Sequence, residues 1–251
     1  MATPKTVLVL HGYTQNATIF SKRLGALRRE CGKSVDFVFV DAPIILQPAD
    51  LVGSRLEALN AAEVAGTNDA RAWWKWDRSK THAQGLPEAL EAIRDVLKTR
   101  TFDGVLGFSQ GATFAALLTA LLERPEVYPP FLIDGQAPHP PFKFCVAVSG
   151  FRMVGDPIVD AIYETTFSTP TLHVIGKNDV VVIEERSHQL AKISTNARVE
   201  EHDGGHFVPS KANWRKFLAA YLLDPTGNVP SPSNTSGTAT PTDPPHQTMK
   251  L

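Results

Sequence analysis

Six short runs, most of them apolar and rich in β-branched residues, recur along the chain, and stretches of helical periodicity lie between several of them. The runs are Thr6–Leu10, Val35–Val40, Gly104–Phe108, Phe144–Ser149, Thr171–Ile175 and Arg198–Glu201. Ile19, Leu24 and Leu27 suit one helix, and Leu86, Leu90, Ile93 and Leu97 fall on one face of a second, with Thr81 as its candidate cap. Phe114, Leu117, Leu118, Leu121 and Leu122 mark a third amphipathic helix, and Trp214, Phe217, Leu218, Tyr221 and Leu222 the last. Apolar strands alternating with amphipathic helices bury their surfaces as a parallel sheet covered on both sides. The expected fold class is α/β, a mostly parallel sheet of about six strands with helices on both faces.

Composition changes after Leu223. Residues 224–251 are dominated by Pro, Ser, Thr, Gly and Asn, with too little apolar area to offset the entropy of ordering them. We expect one domain over 1–223 and a disordered tail over 224–251. Two segments, 42–80 and 124–142, are too long for ordinary connections in such a fold. They are expected to form walls or lids of a pocket, or else to cover an edge of the sheet. Lys plus Arg is 25 against Asp plus Glu at 26, a balance without the basic footprint of a nucleic-acid binder. No apolar run approaches the roughly 18 residues of a membrane span. Cys31 and Cys145 are too few for a disulfide scaffold and have no metal-ligand spacing. With no leader-like layout at the N-terminus, the expected compartment is the cytoplasm, with the nucleus as alternative. No cofactor and no metal are expected.

The chemistry concentrates in Gly107-Phe-Ser109-Gln-Gly111, which matches G-x-S-x-G between an apolar strand and a helix. A nucleophile there sits on a tight turn, where side chains at the flanking positions would collide with backbone. The helix N-terminus beside it favours a developing anion. A serine hydroxyl needs a base oriented by an acid, and in this strand–turn–helix context the chain order is Ser, then Asp or Glu, then His. His206, in the polar loop Asp203-Gly-Gly205-His206, is the expected base, with His202 at the strand end as competitor. Asp179, in Gly176-Lys-Asn-Asp179 after a strand, is the expected acid, with Asp156 and Asp160 as alternatives. An oxyanion hole would use the backbone N–H of Gln110 and that of Tyr13, with Thr14 in reserve. His11 reads as a structural hydrogen-bonder.

Taken together, His11-Gly12-Tyr-Thr-Gln-Asn16, Arg71-Ala-Trp73-Trp74, Phe102-Asp-Gly-Val-Leu-Gly-Phe-Ser109-Gln-Gly-Ala112, Gly176-Lys-Asn-Asp179 and Gly204-Gly-His206-Phe-Val-Pro209 resemble the fungal family of serine hydrolases that also includes the ovarian-cancer-associated esterase of animals. The resemblance covers roughly residues 5–223. It implies an α/β-hydrolase fold and hydrolysis of carboxylic esters, often of acyl chains. In some fungal members it implies cleavage of thioesters of polyketide intermediates. It also puts Ser109, Asp179 and His206 in the triad positions.

The expected activity is a serine esterase acting on a small-molecule acyl ester through an acyl-enzyme on Ser109. One alternative is a thioesterase releasing an acyl or polyketide group from coenzyme A or an acyl carrier protein. The other is a hydrolase-fold protein that binds a ligand without turnover. Trp73 and Trp74, before Trp76, are candidates for lining an apolar acyl pocket, the alternative being that the cluster packs the 42–80 segment onto the domain.

Overall fold

The computed structural model describes residues 3–51, 69–79 and 81–232. In chain order these form β1 (Lys5–Leu10), α1 (Ala17–Arg23), α2 (Gly25–Cys31), β2 (Val35–Val40), α3 (Leu86–Leu97), β3 (Gly104–Phe108), α4 (Gln110–Glu123), β4 (Phe144–Val148), α5 (Pro157–Ile162), β5 (Thr171–Gly176), α6 (Glu184–Ala191), β6 (Ala197–His202) and α7 (Ala212–Leu223). The six strands make one sheet in the order β6-β5-β4-β3-β1-β2, and every neighbouring pair is parallel. Each of the six runs is one of these strands, to within one residue at either end.

Alternation along the strands divides the core into two clusters. Val7, Val9, Leu106, Phe108, Val146, Val148, Leu172 and Val174 pack on one face with Phe20, Leu27 and Phe217 from α1, α2 and α7. Leu8, Leu10, Val105, Cys145 and Ala147 point to the other face, with α3, α4 and α5. A period of two on strands buried on both sides produces this division.

Three local expectations are corrected. The single helix through Ile19, Leu24 and Leu27 is two helices that meet at Leu24, whose ψ of 4° bends the chain so that Phe20 and Leu27 both reach the sheet. Thr81 caps nothing: its N–H donates to Asp77 Oδ1 at 2.8 Å, and α3 starts after Gly85, a residue with φ 83°. The helix after Ser109 is not amphipathic. All of α4 but Glu123 is buried: the sheet and α5 pack against it, and Trp73 stacks on Phe114 at 4.9 Å.

The two long segments behave differently. Of 42–80, Ile44–Ile45 pairs with Arg71–Ala72, and Lys75–Trp76 pairs with Ala83–Gln84. Residues 52–68 and Lys80 lie outside the described residues. The segment 124–142 makes two 3-10 turns, buries Phe131 and Phe142, and is tied to the domain by the Phe102 N–H donating to His139 Nε2 at 2.8 Å. Of the tail expected to be disordered, 224–232 contacts the domain. Val229 packs on the α7 side of the core, Ser231 Oγ donates to Glu200 Oε2 at 2.6 Å, and Asn213 Nδ2 donates to the Pro232 carbonyl at 3.0 Å. Residues 233–251 lie outside the described residues. Among the described residues, no helix is long and apolar enough to cross a membrane.

These contacts predict that a chain ending at Leu223 melts about 2–6 °C below one ending at Pro232, a loss of roughly 1–2 kcal/mol from one apolar contact and two hydrogen bonds. Differential scanning calorimetry of the two truncations measures it.

Candidate active site

The carboxyl ends of β1, β3, β4 and β5 face one edge of the domain, and strained backbone gathers there. Three non-glycine residues at the ends of β1, β3 and β4 have positive φ: Thr14 at 68°, Ser109 at 55° and Ser149 at 52°. For such residues this region costs energy and persists only when the surroundings impose it. At Ser109 the imposition is visible. Its N–H donates to the Val148 carbonyl at 2.8 Å. A Cβ on Gly107 would collide with the Gly111 carbonyl, and one on Gly111 would collide with the carbonyls of Leu10 and His11. The serine is thus held between strand and helix by a turn only these glycines permit.

The loops after β5 and β6 are joined before their side chains meet. The Lys177 N–H donates to the His202 carbonyl at 2.9 Å, the Asn178 N–H to Gly204 at 3.0 Å, and Asn178 Nδ2 to Asp203 at 2.7 Å. This brings Asp179 Oδ2 to 2.7 Å from His206 Nδ1, and His206 Nε2 to 2.9 Å from Ser109 Oγ. The Phe108 ring lies 4.8 Å from the imidazole and supports one side of it. Asp179 Oδ1 accepts from the N–H groups of Val181 and Val182 at 2.9 and 2.8 Å. Burial is the largest influence on the Asp179 carboxyl and pushes its pKa up. The hydrogen bond and charge of His206, with the two backbone donors, outweigh it and hold the pKa below the usual carboxylate range. An ionised Asp179 accepts the hydrogen bond of Nδ1–H, which fixes the tautomer and leaves the Nε2 lone pair facing the serine hydroxyl.

The competing residues have other work. Asp156 caps α5 through the N–H groups of Ile158 and Val159 and also accepts from Ala83 N–H at 2.8 Å. Asp160 accepts from Gly155 N–H at 3.3 Å and is exposed. His202 packs against Phe207 and Trp214, with its Nδ1 accepting from Gly204 N–H. Burial pushes His11 down to about 4, so it is neutral at ordinary pH. Its Nε2 accepts from Ala42 N–H at 3.0 Å, which leaves Nδ1 to donate to the Gly12 carbonyl at 2.8 Å.

The loop after β1 is braced by Arg71, whose N–H donates to the Gln15 carbonyl and whose own carbonyl accepts from Thr14 N–H at 2.9 Å. That bond uses the reserve oxyanion donor. Among the described residues, the N–H groups of Tyr13 and Gln110 have no hydrogen-bond partner.

Two clefts meet at Ser109 and Tyr13. One, of about 830 Å³, runs past Gln110, Trp74, Trp76, Phe151 and Met153. The other, of about 670 Å³, runs past His206, Phe108 and Phe207. The tryptophans divide accordingly. Trp74 borders the larger cleft although only 1% exposed, and so does Trp76. Trp73 borders neither cleft. It is fully buried between Phe114 and His11, and its Nε1 donates to the His11 carbonyl at 2.8 Å. The Gln110 side chain, which sequence reasoning left without a role, accepts from Trp73 N–H at 2.9 Å and donates to the Trp74 carbonyl at 2.8 Å. Also missed were Phe151, Arg152 and Arg186. The first two follow β4 at its carboxyl end, which was the available signal for a cleft wall. The segment 124–142 borders neither cleft among the described residues, and it covers the outside of α3 and α4 instead. Away from the clefts, Glu184, His188 and Glu201 lie with ligand atoms within 4.8 Å of one another. The sequence spacing did not reveal this grouping, because Glu201 comes from a different element. His188 Nε2 is 3.4 Å from Glu184 and 3.3 Å from Glu201.

The profile of the family described as Serine hydrolase (FSH1) matches residues 1–218. The chain belongs to that family. It is 34% identical over 231 residues to esterase OVCA2 of Danio rerio, covering 88% of this chain and 97% of that protein. A Schizosaccharomyces pombe protein named dihydrofolate reductase is 31% identical over 234 residues. That match covers 92% of this chain and 50% of the relative, so the chain spans about half of its length. Among solved structures, acyl-protein thioesterase 2 of Zea mays superimposes with a TM-score of 0.57 at 20% identity, covering 88% of this chain and 95% of that one. At that identity the likeness concerns the fold, which is the α/β-hydrolase fold. Membership supports the expected class of substrate, a small-molecule ester.

The separation of the tryptophans predicts different outcomes for their alanine variants. Trp73→Ala should lower unfolding free energy by about 3–5 kcal/mol with the order of preference among acyl chain lengths unchanged. Trp74→Ala should reduce kcat/KM more for long acyl chains than for acetate. Denaturant melts and a chain-length series of p-nitrophenyl esters check both.

Proposed function

We propose that this serine hydrolase cleaves carboxylic esters of acyl chains through an acyl-enzyme on Ser109. The observation that carries the reading is the unbroken line from Asp179 through His206 to Ser109, with contacts of 2.7 and 2.9 Å. As Ser109 Oγ attacks the carbonyl carbon, its proton passes to His206 Nε2, and Asp179 stabilises the imidazolium. The carbonyl oxygen takes the negative charge and receives the N–H groups of Tyr13 and Gln110. Collapse of the tetrahedral intermediate breaks the bond to the alcohol, which leaves with the proton from Nε2. Water then repeats the sequence: it gives a proton to Nε2, attacks the acyl carbon and releases Ser109, which recovers the proton.

A thioester of coenzyme A or of an acyl carrier protein would be cleaved by the same steps. The cleft of about 670 Å³ on the His206 side supports this second reading, since it leaves room for a bulky leaving group. A panel of matched oxygen esters and acyl-coenzyme A thioesters separates the two. The reading keeps the cytoplasm as compartment, in line with two cysteines that are both free and buried.

Ser109→Ala should lower kcat by about 10⁶ and Asp179→Asn by about 10⁴, the scales found when such groups are removed from other triads. Asp156→Asn should cost thermal stability and keep turnover within about tenfold of wild type, because its carboxylate is occupied by backbone donors. Activity of Asp179→Asn combined with loss in Asp156→Asn would reassign the acid. The pH profile follows from the depressed Asp179 pKa. The carboxylate is already ionised where an imidazole titrates, so the acid limb of log kcat/KM should rise with a slope of about one. A slope of about two would mean that Asp179 titrates there too.

A further inference from the structure

We infer that the larger cleft receives an acyl chain ending in a carboxylate, bound by Arg152 and Arg186. The substrates are then monoesters or monothioesters of dicarboxylic acids. The inference rests on the reading of Ser109 as nucleophile and adds the class of acyl group.

Direction comes from the proton. The leaving group must take its proton from His206 Nε2, so it faces the cleft that His206 borders. The larger cleft borders Ser109, Gln110 and Tyr13 but not His206, which leaves it for the acyl chain.

Charge is the second observation. Among the described residues, the charged side chains along the larger cleft are Lys75, Arg78, Arg152 and Arg186 against Asp50 and Asp77, four cations to two carboxylates. Asp50 is paired with Lys75 at 3.0 Å. Asp77 turns back to its own loop, accepting from the N–H groups of Thr81 and His82 at 2.8 and 3.1 Å. Among the described residues, neither Arg152 nor Arg186 makes an ion pair.

The Arg186 guanidinium is also held, and the Arg152 backbone is fixed beside it. Arg186 lies over the Phe151 ring, 4.4 Å from its centroid. The Arg152 N–H donates to the Arg186 carbonyl at 3.4 Å, which links the two segments. Arg152 Nε is buried with no hydrogen-bond partner, a costly state for a charged donor. A planar guanidinium fork matches a carboxylate and binds it with charge-assisted hydrogen bonds. Trp74, Trp76 and Met153 on the same cleft supply apolar surface for the methylenes between the two ends of the acid.

The test uses the full chain and three p-nitrophenyl-type substrate sets matched in acyl length. One is neutral, one carries a terminal carboxylate on the acyl chain, and one carries the carboxylate on the alcohol. We expect kcat/KM to favour the acyl carboxylate over the neutral ester by at least about tenfold, and the advantage to shrink with added salt. In Arg186→Gln and Arg152→Gln that preference should fall by about tenfold or more, mainly through KM, and Arg186→Lys should restore part of it. Arg186→Gln keeps the test sound if Arg152→Gln fails to fold. A wild-type preference for neutral esters, a preference for the anion on the alcohol, or a preference untouched in Arg186→Gln would each overturn the inference. Absence of turnover on every set, with no acylation of Ser109, would instead overturn the reading on which it rests.

Discussion

The turn between β3 and α4 governs the architecture of the site. It holds Ser109 at φ 55° while the strand before it is buried throughout and the helix after it is buried in all but Glu123. A non-glycine residue stays in that conformation only when its neighbours leave no alternative. Here the neighbours are backbone. The Val148 carbonyl takes the serine N–H, and the carbonyls of Leu10, His11 and Gly111 fill the space where side chains of Gly107 and Gly111 would be. The same packing brings the loop after β1 against the start of α4, so the Tyr13 and Gln110 N–H groups belong to the same rigid region as the serine.

A second layer keeps this region in place without touching the reacting atoms. The Trp73 indole N–H and the Arg71 backbone tie the loop after β1 to the segment carrying Trp73 and Trp74, and the Gln110 side chain ties the start of α4 to the same segment. Trp73 closes the outer side of α4. That is why Trp73 is structural while its neighbour Trp74 borders the cleft. On the other side of the serine, the loops carrying Asp179 and His206 are hydrogen-bonded to each other through backbone, so the distance from acid to base depends little on side-chain freedom.

Much of this was legible in the sequence because it depends on short-range rules. Short β-branched runs alternating with helical stretches marked all six strands, and G-x-S-x-G marked the turn. Chain order and the ends of strands then selected Asp179 over Asp156, and Gly204-Gly205 singled out His206 over His202. What was not legible depends on contacts between distant residues. The break at Leu24 reflects the sheet that α1 and α2 share. Thr81 fits a capping pattern but is taken by Asp77. Trp73 and Trp74 are adjacent and alike in type, and only Phe114 and His11, far away in sequence, distinguish them. The arginines of the larger cleft come from the ends of two different elements, and no local pattern joins them.

The central claim is that His206 activates Ser109 and no other serine. Labelling with a fluorophosphonate, followed by peptide mass spectrometry, tests it most directly. The account predicts one modified serine, Ser109, labelled rapidly in the wild-type chain and slower by about 10³-fold or more in His206→Ala, where the base is missing. Modification of a different serine, or labelling of Ser109 at the same rate in both chains, would contradict it.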